Sequence, residues 1–319
     1  MRLLRTVLVG SVAAAATATT LGACAGQSHK SVGSSTSSAA GPSAGSSASP
    51  AAPAAARQQV TLPIKGGENF YPQDVAVDAN GTVYATSVNE GVLKLKPGAS
   101  AAVSVGFTGA QFAVSGGADA AGNVYLSDDG STAPASTGRV LKRTPDGAQT
   151  ELPITGLGQD DRLAVASDGT VFVADHSHNR VLKLAPGAKT PDELPFKGLK
   201  GPGYVAVDSA GNVYVSEVDY EGAGANTRVL MLAAGSTTQS VLPITAPKQR
   251  ALAVDSSGTV YLGGTQGITM LAKGSQQATQ LLVNGDAGGD PNIAGIAVDS
   301  HGNIFIADRQ NKQFVELKA

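Results

Sequence analysis

The sequence writes one phrase of a dozen residues several times. It reads "AVDANGTVYATS" from Ala76, "AVDSAGNVYVSE" from Ala206, "AVDSSGTVYLGG" from Ala253 and "AVDSHGNIFIAD" from Ala297. Aligned on the glycine of this phrase and of two looser copies, the units fall on Gly81, Gly122, Gly169, Gly211, Gly258 and Gly302. Their spacings are 41, 47, 42, 47 and 44 residues. A recurrent period of this length confines a chain to a solenoid or a propeller. Each unit carries four short apolar runs, which in the fourth are "YVAVD", "NVYVSE", "RVLMLAA" and "QSVLPIT". They are rich in β-branched residues and punctuated by Gly, Pro and Asn, the grammar of strands and turns. No segment sustains a helical period. Four strands per unit make a propeller blade, so the expected fold is all-β, a six-bladed β-propeller.

The ends of the repeat region indicate how such a ring closes. The last unit stops after its third run, "QFVELKA", while an orphan run, "QQVTLPI", precedes the first unit at Gln58–Ile64. The orphan matches "QSVLPI" at Gln239 and is expected to supply the outer strand of the sixth blade. Closure of this kind removes the exposed edges an open sheet would present.

The glycine of each unit sits in a tight connection that requires φ > 0. Asp78, Asp119, Asp208, Asp255 and Asp299 precede it by three residues and are placed to accept hydrogen bonds from turn amides. A calcium loop would need alternating oxygen ligands and a distal bidentate glutamate, which the phrase lacks. In the third unit, "ASDGTV", the acid has moved next to the glycine.

These segments, with "VLKLAPGA" and "VLMLAAGSTTQSVLPI", resemble NHL repeats over residues 58–319. They are similar to those of the six-bladed extracytoplasmic sensor propeller of a mycobacterial serine/threonine protein kinase. The resemblance implies a ligand-binding propeller; no kinase signature is present. The absence of tryptophan excludes a WD-type repeat.

What precedes the repeats sets the compartment. Arg2 and Arg5 lead into the soft apolar run "TVLVGSVAAAATATT", which fits a secretory signal, and "LGAC" resembles a bacterial lipobox ending at Cys24. Residues 1–23 are read as a lipoprotein signal peptide and Cys24 as the lipidation site. Residues 24–56 are dominated by Ser, Ala, Gly and Pro and read as a disordered tether, with the propeller at 57–319. The expected location is the outer face of the cell membrane, held by the lipid. Cys24 is the single cysteine, so the propeller has no disulfide and no cysteine metal site. Loss of the first 23 residues removes two arginines and no acids, taking the formal charge from −2 to −4. With no basic cluster, nucleic-acid binding is disfavoured.

Charged residues divide into scaffold and site. The second strand of several blades ends in an acid and the third begins with arginine, giving the pairs Asp128–Arg139, Asp175–Arg180 and Glu217–Arg228. Where the acid is lost so is the arginine: Ser87 stands opposite Gly91, and Gly264 opposite Gly267. An ion pair fastening two strands of one blade is expected. The sixth unit departs, with Asp308 facing Gln313.

Length variation gathers in one set of loops, the insertions "DDGSTAPASTGR" and "EVDYEGAGANTR", which marks that face as the recognition face. Seven residues before each aligned glycine, at the mouth of the inner strand, stand Asp74, Ser115, Arg162, Tyr204, Ala251 and Gly295. Asp161 and Arg250 lie one residue earlier. Asp74, Asp161, Arg162, Tyr204 and Arg250 are candidates for contacting a small polar ligand or peptide, with Tyr220 and Glu221 on the fourth-blade insertion. His176 and His178 are weak metal candidates, lacking an evident third ligand.

The expected function is therefore a membrane-anchored, monomeric propeller that binds a ligand or envelope protein without catalysis and without a cofactor. The alternative is a metal-dependent enzyme, since propellers resembling lactonases and amidating lyases hold a metal at inner-strand mouths. Arg162 and Arg250 count against a cation there, and neither a Gly-x-Ser-x-Gly elbow nor paired catalytic carboxylates can be read from the chain. A third reading is a structural spacer in the cell wall.

Overall fold

The computed structural model describes residues 57–319, except 131–137, 218–227, 245–248, 266 and 284–291. The lipobox cysteine Cys24, the tether, and the candidates Tyr220 and Glu221 lie outside the described residues.

Six four-stranded antiparallel sheets form, each from one repeat read in order from inner to outer strand. The exception is the sixth, whose outer strand is Gln59–Thr61 from the start of the propeller. It pairs antiparallel with Gln313–Leu317, placing Val60 opposite Glu316. The seam is thus zipped by both ends of the domain.

Buried side chains collect between blades rather than within them. Tyr125 packs with Leu163 and Val173 between the second and third blades, and Phe172 with Val205 and Val215 between the third and fourth. The sixth and first blades share Phe305, Phe314, Phe70 and Val75, and the Phe70 and Phe314 rings meet at 5.9 Å between centroids. Alternating apolar residues on both faces of each sheet bury both faces, so each blade is stable only between neighbours.

The repeated aspartate–glycine connection explains its own residues. Gly81 takes φ 74° and Gly211 φ 81°, where a Cβ would be strained. Asp78 Oδ1 accepts from the amides of Asn80 and Thr82, and its Oδ2 accepts from Tyr84 Oη at 3.1 Å. The same tyrosine–aspartate bond recurs at Tyr125–Asp119, Tyr214–Asp208 and Tyr261–Asp255. In the third blade the aspartate becomes Ala166 and the tyrosine Phe172, so both ends of the bond are replaced together.

At the opposite end of the blades, the inner strands of all but the third carry a register break. In the first blade Pro72 pairs with Ser87 and Asp74 with Thr86, leaving Gln73 out of the ladder. In the fifth, Gln249 pairs with Gly264 and Ala251 with Gly263, leaving out Arg250. A bulge of this kind bends the strand and re-aims its side chain.

Candidate functional site

The acid that closes the second strand of a blade holds the loop entering the inner strand. Asp128, fully buried, accepts the Gln111 and Phe112 amides at 2.9 and 2.7 Å and Arg139 Nε at 3.0 Å. Glu217 accepts the Lys200 amide and is gripped by Arg228 through two nitrogens, each at 2.7 Å. Asp175 takes Arg180 Nε at 2.7 Å. In the first blade Ser87 Oγ accepts the Tyr71 amide at 3.0 Å, doing the loop's part without an arginine. Asp308, with no arginine opposite, accepts the Asn292, Gln310 and Asn311 amides instead. These groups fix the rim; the channel they surround is lined by others.

That channel is a cavity of about 240 Å³ walled by all six inner strands. Of the mouth residues read from the sequence, Asp74, Ser115, Arg162, Tyr204 and Ala251 line it. The Arg162 guanidinium lies over the Tyr204 ring at 4.5 Å and its Nη1 reaches the Val114 carbonyl at 3.4 Å. Ser115 Oγ donates to Asp74 Oδ2 at 2.5 Å and accepts from the Leu163 amide at 3.3 Å, tying three consecutive blades. Burial pushes the Asp74 carboxyl up to about 6, while Arg162 and the Ser115 hydroxyl pull it down. Gly295 completes the ring because nothing larger fits: a Cβ there would stand 2.5 Å from the Asp74 Cα.

Three sequence candidates have other duties. Asp161, 1% exposed, accepts the Gly158 and His176 amides at 2.7 and 2.9 Å and pins its own loop instead of facing the channel. Burial, then the charge of Asp175, raises its carboxyl to about 7. His178 turns its Nδ1 to Asp175 at 2.8 Å, and the His176 backbone is bound to Asp161. Among the described residues no three His, Cys, Asp or Glu side chains gather as metal ligands would.

Sequence reasoning missed Arg309, Gln73 and Tyr71. Arg309 lies over the Tyr71 ring at 4.9 Å, with Nε 3.4 Å from the Pro72 carbonyl and Nη2 donating to Gln73 Oε1. Burial first, and then the charges of Arg162 and Arg250, hold its guanidinium below the usual value. The column seven residues after each glycine reads Val88, Asp129, His176, Val218, Thr265 and Arg309, and its one arginine was visible there.

No protein-family model and no curated protein sequence matches the chain. Solved structures do. A streptogramin B lyase is similar at 12% identity and TM-score 0.56, over 82% of this chain and 96% of its own. The XC5397 gluconolactonase from Xanthomonas campestris gives 14% and 0.59, over 82% and 89%. A Trichoderma reesei carbohydrate-active enzyme of family AA12 gives 11% and 0.63, over 84% and 97%.

These likenesses correct the expectation that the chain is no enzyme. The solved propellers it resembles carry enzyme names, and the sequence grounds for excluding catalysis fail on this architecture. A propeller assembles its centre from one residue per blade, more than forty positions apart, so no local elbow or carboxylate pair need appear in the chain. What the comparisons show of this chain is its fold, a six-bladed β-propeller.

Proposed function

We propose that the chain is an exported, lipid-anchored propeller of NHL type whose channel mouth takes a small polar ligand. The observation that carries this is the meeting of Asp74, Ser115, Arg162 and Tyr204, from four consecutive blades, around a cavity of about 240 Å³. A cavity with an aromatic wall and a few convergent polar groups is the usual form of a small-molecule site. The signal-like start, the lipobox at Cys24 and the tether support attachment to the outer membrane face.

A second reading is favoured by the place of Asp74, which lines the channel and accepts from Ser115 Oγ, with burial raising its carboxyl to about 6. A carboxyl with that affinity for a proton, at the wall of a cavity, suits general acid–base work on whatever binds there.

The test is a thermal-shift survey of neutral, cationic and anionic small metabolites on the full chain. Stabilising compounds should lose their effect in Tyr204→Ala and keep it in Lys96→Ala, on the turn face. The reverse pattern overturns the mouth as the site.

A further inference from the structure

We infer that the groove between the sixth and first blades, on the face of the aspartate–glycine turns, takes a lysine side chain of a partner polypeptide. In the first and second blades the chain fills the corresponding seat itself. Lys94 stands opposite Tyr84 and Lys142 opposite Tyr125 in the ladder of the second and third strands. Each ammonium lies over its ring, 5.3 and 5.4 Å from the centroid. The third blade keeps a lysine, Lys183, and the fourth and fifth have Met231 and Met270 at this place. The sixth inverts the charge, with Glu316 opposite Phe305. Glu316 is half-buried, and among the described residues no group hydrogen-bonds to its carboxylate or forms an ion pair with it. A carboxylate drawn out of water without a donor or a cation is held at a cost.

The turn aspartate of the sixth blade is short of a donor as well. Asp78, Asp119, Asp208 and Asp255 each accept a tyrosine hydroxyl at Oδ2, at 2.8 to 3.1 Å. Phe305 stands where that tyrosine would, and Asp299 Oδ2 accepts from Asn303 Nδ2 at 2.8 Å, with His301 Nδ1 3.7 Å away. The Asp299 side chain is 9% exposed. Both acids line a cavity of about 520 Å³ together with Leu62, Val83, Leu95 and Phe305. The apolar residues suit the methylene stem of a lysine and the two carboxylates suit its ammonium, with the Phe305 ring placed as Tyr84 is for Lys94. Lys96, on the exposed rim of the groove, forms no ion pair with either acid. The cavity is larger than one such side chain, which leaves room for the residues flanking it in the partner. The channel mouth lies on the opposite face, so this contact is separate from the ligand proposed there.

The probe is an acetylated and amidated pentapeptide with one lysine between pairs of alanines, titrated into the full chain by calorimetry. The same peptide with norleucine or acetyl-lysine at its centre is the control. The lysine peptide should bind saturably and more weakly as salt is raised. Glu316→Gln should weaken it by about tenfold or more while leaving the melting temperature of the free chain as high as before. Glu316→Lys rebuilds the arrangement of the first blade, fills the seat with the chain's own ammonium and should abolish binding in a chain that still folds. Tyr204→Ala, at the mouth, should leave the peptide's affinity unchanged. If the lysine peptide does not bind, if the norleucine peptide binds as tightly, or if both Glu316 variants bind as the parent does, the inference is overturned.

Discussion

Ser115 Oγ donates to Asp74 Oδ2 across 2.5 Å, joining the inner strands of two neighbouring blades at the channel wall. The bond is buried on the serine side, and the same oxygen accepts the Leu163 amide from the third blade. Ser115→Ala leaves a carboxyl and an amide without their partner, and about 1–3 kcal/mol of stability should be lost. Chemical denaturation measures that loss. Carboxyl NMR should show Asp74 moving further above about 6, because the hydroxyl was one of the groups holding it down. An Asp74 titration unchanged in the variant would contradict the bond.

The acid at the end of the second strand acts first on the loop amides and only second on the arginine. Asp128→Ala strands the Gln111 and Phe112 amides and uncovers the Arg139 charge, with an expected cost of about 3 kcal/mol. The double variant Asp128→Ser with Arg139→Gly copies the solution of the first blade, where Ser87 faces Gly91. It should be more stable than Asp128→Ala alone, although it removes one more side chain. Urea midpoints of the two variants decide the order.

Stability should fall as pH rises from about 4, the ordinary carboxyl value, to about 7. Burial raises the carboxyls of Asp74 and Asp129 to about 6 and that of Asp161 to about 7. Each binds its proton more tightly folded than unfolded, so its contribution is full at the acid end and is lost as pH passes the folded value. The lowered carboxyls, Asp146, Asp168 and Asp255, act below this window and in the opposite sense. Melting temperature against pH reads the slope, and Asp161→Asn should flatten its upper part.

Gly295→Ala should disturb the ring at its seam. The added Cβ would meet the Asp74 Cα at 2.5 Å and the Val75 nitrogen at 2.8 Å, both backbone atoms of the first blade. The expected loss is about 3 kcal/mol or more, since a closed ring cannot widen at one junction alone. Gly98→Ala, with open space around it and only a φ of 72° to strain, should cost about 1 kcal/mol.

The contrast between these residues shows what a single chain makes legible. The ring, the seam from Gln59 to Thr61 and the duties of the turn aspartates all follow from a repeat compared with itself. The pairing of Asp128 with Arg139 was visible because both vanish together in other blades, but its main task, holding loop amides, left no trace in residue types. Arg309 and Gln73 stand 236 positions apart and meet only once the ring has closed. Asp161 looked like a neighbour of the channel because it adjoins Arg162, yet its side chain turns into its own loop. Whether the channel does chemistry is the least legible, since a propeller gathers any centre one residue at a time.

The most direct measurement of the channel mouth as ligand site is a crystal structure of the chain with the compound that stabilises it most. The account expects that compound against the Tyr204 ring, within hydrogen-bond reach of Arg162 and above Asp74. Density for it on the opposite face, among Asp78, Asn80 and Pro97, with the mouth holding only solvent, would contradict it.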